Sequence, residues 1–79
     1  MLREYIDSAM REAHYEILED GTYYGEIPSC PGVLANEKSL EKCRETLEQV
    51  LEGWVILGLR MGHELPTING INLIQKLAA

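Results

Sequence analysis

Two glutamates in the first third of the chain are the first candidates for catalytic or metal-binding side chains. Glu16 and Glu26 lie on either side of the Asp20-Gly21 pair, and convergent carboxylates hold the metal ions of two-metal nucleases. Asp-Gly favours a two-residue type I′ hairpin turn, because both central positions of that turn need positive φ. The turn would place Glu16 opposite Gly25, so Glu16 and Glu26 would point to opposite faces of the hairpin. The predicted register therefore argues against a two-metal site.

The thiol and imidazole groups are the next candidates. They are Cys30, Cys43, His14 and His63, and no C-x-x-C or H-x-x-x-H spacing joins them into the four-ligand pattern of a zinc site. Cys30 stands between two prolines, where we expect an exposed thiol, but no histidine is placed to activate it. Cys43 falls on the apolar side of a helical pattern, where a small core residue is the simplest role. We therefore expect no metal, no cofactor and no enzymatic activity.

The proline-bracketed segment at residues 28–32 could be a binding loop or a structural corner. A phosphate-binding loop needs several glycines and a Gly-Lys-Ser/Thr ending, whereas this segment has one glycine. Pro28 cannot donate a hydrogen bond within a central strand, and Pro31-Gly32 favours a further turn. We interpret the segment as a corner that ends one strand and directs a short third one.

The elements that must position these groups can be read from the hydrophobic pattern. Residues 2–13 have apolar side chains at alternating gaps of 3 and 1, which indicates a short amphipathic helix. Apolar side chains lie on both predicted faces of the hairpin, so we expect the long helix to cover one face and the N-terminal helix or a second subunit the other. A third strand at 33–35 and a last edge strand within 63–68 would complete the sheet.

A long helix is predicted between Ser39, a good N-cap, and Gly62, a natural stop. Its apolar seam follows gaps of 3 and 4: Leu40, Cys43, Leu47, Val50, Trp54, Leu57 and Met61. The opposite stripe changes from acidic to apolar: Glu41, Glu45, Glu48 and Glu52, then Val55 and Leu59. Apolar side chains in the second half of this stripe would be unfavourable if the whole stripe faced solvent. We expect Val55 and Leu59 to be buried by the N-terminal helix or at an oligomer interface.

The charge balance limits the partners of this chain. It has 13 acidic and 7 basic side chains, for a net charge of −6. Binding to nucleic acid depends on Lys and Arg side chains that neutralise phosphates, so we expect no direct contact with DNA or RNA. A basic protein is a better electrostatic match.

The length of 79 residues indicates one domain, which we place at residues 1–79. A core of this size supplies about 3–5 kcal/mol without a staple or a partner, so we expect self-association to a dimer or tetramer. The longest apolar run, WVILGL, is far shorter than the roughly 20 residues of a membrane span. Nothing at the N-terminus resembles a secretory signal. We expect a cytoplasmic chain whose two cysteines are free thiols.

Three stretches follow one another in a distinctive order: EDGTYYGEIPSCPGV, SLEKCRETLEQVLEGWV and the ending GHELP at 62–66. This order resembles the HicB-like antitoxin family of prokaryotic toxin–antitoxin systems. The resemblance implies an α+β fold: a β-β-β-α-β unit like a reduced ribonuclease H fold without catalytic carboxylates, its three- to four-stranded sheet packed on one long helix. Residues 14–66 would be this core, 1–13 an extra amphipathic helix, and 67–79 a tail too short for the DNA-binding domain that many members carry.

The resemblance also implies a function, which is to bind and silence HicA, a small basic toxin that cleaves mRNA. The expected contact residues lie on the sheet and bend, with a second set on the long helix: Tyr24, Glu26, Pro28 and Pro31, then Glu41, Glu45 and Glu48. Core packing is the alternative role for Tyr24, and a solvated helix face is the alternative for the second set. The competing hypothesis is a domain without a toxin partner that self-associates through Val55 and Leu59. A vestigial nuclease is the third.

Overall fold

The computed structural model describes residues 2–73 and confirms an α+β fold in which a small open sheet packs on a long helix. The elements are α1 (Leu2–Arg11), β1 (His14–Ile17), β2 (Tyr23–Glu26), β3 (Leu34–Glu37) and α2 (Leu40–Met61). The strands form one antiparallel sheet in the order β1-β2-β3. None of the helices in the described residues is long and apolar enough to cross a membrane.

The predicted last strand at 63–68 does not join the sheet. Residues 63–67 have no regular structure, and Ile68 only forms an isolated antiparallel bridge with Ile71 across a tight turn. Leu65, Ile68 and Leu73 are instead buried in the core. Pro66 cannot donate to a ladder, and the segment contributes apolar side chains to the core without adding a strand. The predicted tail beyond residue 73 lies outside the described residues.

The amphipathic helix α1 docks through the predicted apolar stripe. Tyr5, Ile6, Ala9 and Met10 are buried, and α1 packs against α2. The Tyr5 hydroxyl donates a 2.6 Å hydrogen bond to the carbonyl oxygen of Pro66, which ties α1 to the segment that follows α2. Burial, with smaller contributions from nearby Cys30 and Glu12, raises the pKa of Tyr5 to about 12. The phenol therefore stays protonated and can donate this bond throughout the neutral range.

Helix α2 begins and ends where the sequence predicts. The Ser39 hydroxyl accepts a hydrogen bond from the backbone N–H of Lys42, which caps the first turn. Gly62 has φ of 70°, and His63 donates its N–H to the carbonyl of Gly58 in the Schellman pattern. The left-handed conformation at residue 62 explains why glycine occupies the end of the helix.

The buried side of α2 is rotated from the predicted seam. Cys43, Leu47, Leu51 and Val55 follow one another at steps of four and are fully buried. A strand of four residues spans about 13 Å, whereas the 22 residues of α2 span about 33 Å. The sheet can therefore cover only the first half of α2. The second half is buried from another side, by α1 and residues 65–73.

This rotation decides between the two expected ways of burying Val55 and leaves Leu59 at an oligomer interface as a prediction. Val55 is fully buried within the chain and belongs to the same core cluster as α1. Leu59 is partly buried against that cluster. Burial by the chain itself therefore accounts for the apolar half of the acidic stripe, and Val55 cannot contact a second subunit. The exposed apolar side chains of α2 lie elsewhere: Leu40, Val50, Ile56, Leu57 and Met61.

Two tyrosines of the core give a matched test of the packing between α1 and the segment after α2. Tyr5→Phe removes a hydrogen bond and leaves the Pro66 carbonyl without that donor, so we expect a loss of about 1 kcal/mol in the free energy of unfolding. The Tyr15 hydroxyl is buried without a hydrogen-bond partner, so Tyr15→Phe should be neutral or stabilising. Urea denaturation of both variants gives the comparison. Equal losses of unfolding free energy in the two variants would show that the hydrogen bond from Tyr5 to the Pro66 carbonyl does not stabilise the fold.

The open face of the sheet as candidate functional site

The loop between β1 and β2 is one residue longer than the two-residue turn predicted from Asp20-Gly21. Leu18 donates its N–H to the carbonyl of Thr22 at 2.8 Å, and Gly21 donates to the carbonyl of Leu18 at 2.9 Å. Gly21 has φ of 83°. Residues 19–21 therefore form a three-residue loop with glycine in the left-handed position, which is the next most common hairpin connection.

The side chain of Asp20 stabilises this longer loop. Its Oδ1 atom accepts hydrogen bonds from the backbone N–H of Thr22 at 2.9 Å and from the Thr22 hydroxyl at 2.6 Å. These bonds favour the ionised carboxylate and lower the pKa of Asp20. Asp20 thus stabilises the loop through hydrogen bonds of its side chain. It does not occupy the first central position of a type I′ turn, as the sequence had suggested.

The longer loop changes the register, and the predicted placement of Glu16 and Glu26 on opposite faces is wrong. Glu16 lies opposite Tyr24, and His14 lies opposite Glu26. A shift of one residue in a strand moves every side chain to the other face. Glu16 and Glu26 therefore share one face of the hairpin.

That face, here called the open face, is turned away from α2. Its members come from all three strands: His14, Glu16, Tyr24, Glu26, Leu34 and Asn36. Tyr24 is half-buried and the other five are exposed. Helix α1 packs on α2 and does not cover this face, so of the two predicted covers only a second subunit stays a prediction. Asn36 donates to the Thr22 hydroxyl and to the Tyr23 carbonyl, both at 2.9 Å, which holds the end of β3 against β2.

The inner face of the sheet packs on α2 through small and aromatic residues. A side chain at Gly25 would meet the Tyr15 ring at 2.8 Å and the Cys43 sulfur at 3.2 Å. The ring of Tyr15 therefore lies across Gly25 and fills the space of its missing side chain. Ala35 is buried beside them. This close packing against α2 fixes the position of β2, and so of the side chains on its opposite, open face.

The polar groups of the open face are coupled to one another. The Tyr24 hydroxyl donates to Oε2 of Glu26 at 3.3 Å. Partial desolvation, followed by the negative charges of Glu26 and Glu16, raises the pKa of Tyr24. Along with His14, these side chains line a shallow depression of about 180 Å³. The arrangement presents two carboxylates beside an aromatic ring, which suits a cationic side chain. No group of three metal-binding side chains in residues 2–73 is close enough to hold a metal ion.

The bend after β2 is a structural corner, as the sequence predicts. Cys30 donates its N–H to the carbonyl of Ile27 at 2.9 Å, and Val33 donates to the carbonyl of Cys30 at 3.0 Å. Two turns follow one another, and each has a proline as its second residue. Gly32 takes φ of 93° after Pro31, as a type II turn requires. The corner leads directly into the pairing of β2 with β3.

The cysteine of this corner is buried, and its predicted exposure is wrong. Cys30 is fully buried in the core, because the two turns direct its side chain inward while Pro28 and Pro31 remain exposed. Burial, with a smaller contribution from Glu12, raises the pKa of Cys30 to about 11. The Cys30 thiol therefore stays protonated near neutral pH and packs as an apolar side chain in the core. The Ser29 hydroxyl donates to Oε1 of Glu12 at 2.6 Å and links the corner to the end of α1.

The glutamates of α2 form a separate surface. Glu41 and Glu45 are exposed, and Glu48 is half-buried, 3.7 Å from the guanidinium of Arg3. They lie on the side of α2 opposite Cys43, which faces the sheet. The two predicted contact surfaces therefore lie on opposite sides of the molecule. The structure brings Tyr24 and Glu26 together, with Pro28 two residues further on, but places the glutamates of α2 away from them.

The sequence reasoning missed His14, Leu34 and Asn36 as members of the open face. The signal that could have found them is the loop itself, since Glu-Asp-Gly fits a three-residue connection as well as Asp-Gly fits a two-residue one. The longer loop puts Glu16 beside Tyr24, and the antiparallel pairing of β3 then adds Leu34 and Asn36.

These features define a small α+β domain with one sheet face packed on a helix and the other face open. The chain belongs to the UPF0150-like family, whose family model matches residues 4–66 and so includes most of α1. The crystal structure of TTHA0281 from Thermus thermophilus is similar, with 40% sequence identity and a TM-score of 0.85. The similarity covers 91% of this chain and 90% of that one. No curated protein matches the sequence.

Proposed function

We propose that this chain is a non-enzymatic protein-binding domain of the antitoxin type, which neutralises a small basic HicA-like ribonuclease by masking it. The observation that supports this function is the open face, where Glu16, Tyr24 and Glu26 from two strands form one acidic and aromatic surface. The resemblance of the hairpin, corner and helix start to HicB-like antitoxins supports the same function. The open face is the partner surface in this proposal.

The chemistry of the open face favours a basic partner. Two carboxylates lie beside a phenol ring whose hydroxyl already binds one of them, so a partner's arginine could pair with Glu16 or Glu26 and stack on Tyr24. The net charge of −6 would accelerate the encounter with a basic protein at low salt. Pro28 and Pro31 are exposed at the corner and would extend the contact without any change in backbone.

Charge reversal at Glu26 tests this surface. We expect Glu26→Lys to weaken binding to the ribonuclease by about tenfold to a hundredfold, because an attractive carboxylate becomes a repulsive ammonium at the centre of the contact. Glu64→Lys makes the same charge change at an exposed position after α2 and should leave the affinity unchanged. The measurement is isothermal titration with the small basic ribonuclease encoded beside this chain or recovered with it from source-cell lysate.

Three outcomes would contradict the proposal. The first is equal affinity of wild type and Glu26→Lys for the ribonuclease, and the second is no loss of RNA cleavage when the wild-type chain is added. The third is cleavage of an RNA–DNA hybrid by the chain itself in the presence of Mg²⁺, abolished by Glu16→Gln or Glu26→Gln, which would favour a nuclease.

A further inference from the structure

Strand β1 lies at one edge of the sheet, and its outer side carries backbone groups that β2 does not use. Leu18 donates its N–H to the carbonyl of Thr22 at the loop end of the hairpin, and hydrogen-bonded pairs alternate along an antiparallel ladder. The backbone groups of residues 14, 16 and 18 therefore point toward β2, and those of Tyr15 and Ile17 point away from it. No other strand in residues 2–73 pairs with this edge.

The outer edge of β1 lacks the features that usually protect an edge strand. Proteins block such edges with lysine, proline, a bulge or a covering element, and the sequence HYEI has neither lysine nor proline. Helix α2 packs mainly on β2 and β3, and the Ile17 side chain is 67% exposed. A free edge of this kind can accept a further strand.

The sequence around β1 is complementary to itself in the antiparallel direction. A two-fold axis through an antiparallel strand pair leaves each side chain on its own face of the sheet and passes beside one residue. With the axis at Tyr15, His14 of each copy lies opposite Glu16 of the other on the open face, where an imidazole N–H can donate to a carboxylate. Ile17 then lies opposite Ala13. An axis at Glu16 would instead set two carboxylates directly opposite each other, which is unfavourable.

We propose that a second copy of this chain pairs with β1 in antiparallel orientation, about a two-fold axis at Tyr15. Tyr15 of each copy exchanges both backbone hydrogen bonds with Tyr15 of the other, which joins two three-stranded sheets into one continuous sheet. The two open faces then lie side by side, and His14 of each copy completes the surroundings of Glu16 in the other. This inference goes beyond the proposed function, which uses the open face of a single chain.

The edge at β3 is a poorer match for a second copy. A two-fold pairing about Ala35 would set Leu34 of one copy opposite Asn36 of the other, so an apolar side chain would face an amide. The amide of Asn36 already donates to Thr22 and to Tyr23 within the chain. Only β1 offers a charged pair that two-fold symmetry repeats.

Sedimentation velocity of a charge-swap series tests the pairing. We expect wild type to be a dimer at about 100 μM. His14 and Glu16 are exposed in the single chain, so changes there should not disturb folding. Glu16→Lys and His14→Glu should each raise the dissociation constant by about tenfold, because each removes the favourable pair at two places. The double variant restores opposite charges and should return to within about threefold of wild type. Glu64→Lys makes the same charge change as Glu16→Lys at an exposed position after α2 and should not weaken the dimer.

Proline at position 17 tests the backbone hydrogen bonds. Proline has no N–H, and the N–H of Ile17 points away from β2, so Ile17→Pro removes a donor from the outer edge only. This variant should be folded and monomeric. Leu34→Pro makes the same change at the outer edge of β3 and should remain a dimer. Amide hydrogen exchange gives a second readout, because the Tyr15 amide should be protected in wild type and exchange rapidly in Ile17→Pro.

The results also separate this inference from the proposed function. Glu26→Lys should remain a dimer, and Ile17→Pro should still bind the ribonuclease. A wild-type chain that is monomeric at about 100 μM would overturn the inference. It would also be overturned by a dimer whose Tyr15 amide exchanges as fast as in Ile17→Pro, or by a double charge-swap variant that associates no better than either single variant.

Discussion

Leu51→Ala is expected to lower the free energy of unfolding by about 3–4 kcal/mol. Leu51 is fully buried at the middle of α2, between Leu47 near the sheet and Val55 near α1. Its removal leaves a cavity where the two halves of the core meet, and the surrounding helix cannot collapse into it. A core in a chain of 79 residues supplies about 3–5 kcal/mol, so this loss removes most of the stability of the single chain.

The measurement is urea denaturation followed by circular dichroism at one protein concentration. Leu40→Ala is the matched control, because Leu40 lies on the same helix and is 48% exposed. It should change stability by no more than about 0.5 kcal/mol. Similar losses in the two variants would show that Leu51 does not occupy the centre of the core.

Gly25→Val should have the second largest effect, a loss of about 3 kcal/mol. The first added carbon alone would lie 2.8 Å from the Tyr15 ring and 3.2 Å from the Cys43 sulfur. Relief requires the ring to leave the inner face or β2 to move away from α2, and either change uncovers the core. The higher strand propensity of valine offsets only a small part of this loss.

A double-mutant cycle checks the cause of the Gly25 effect. In a Tyr15→Ala background the ring is absent, so Gly25→Val should be much less destabilising than in the wild-type chain. A loss of equal size in both backgrounds would mean that the Tyr15 ring does not create the constraint. The open face gives an independent readout, because displacement of β2 would also weaken partner binding through Glu26.

The secondary structure was largely predictable because its signals are local. The apolar periodicity of residues 2–13 gives α1, and the cap residues Ser39 and Gly62 give the ends of α2, since their side-chain and backbone requirements depend on adjacent residues. The proline corner at 28–32 is predictable for the same reason. The sequence predicts that a hairpin forms but does not fix its register. Glu-Asp-Gly is compatible with a two-residue loop and with a three-residue loop, and changing from one to the other moves Glu16 to the other face of the hairpin relative to Glu26.

The candidate site was predictable only in part. Tyr24 and Glu26 were identified from the resemblance and lie together on the open face. His14 and Asn36 were missed because the register and the pairing of β3 decide their position. The sequence left open whether the N-terminal helix or a second subunit buries Val55, for a related reason. The helical pattern showed two apolar stripes on α2, but only the packing of α1 determines that Val55 is buried and Leu57 exposed.

The sequence by itself thus determined the helices, their ends, the corner, and the acidic character of the surface, because each depends on residues that are neighbours along the chain. Tertiary structure decided which face of the hairpin and which stripe of α2 are left uncovered by residues 2–73. Both depend on contacts between residues far apart in sequence, such as Tyr5 with Pro66 and Tyr15 with the space above Gly25. A pattern along the chain shows that an apolar side chain must be buried, but the partner that buries it is set by packing.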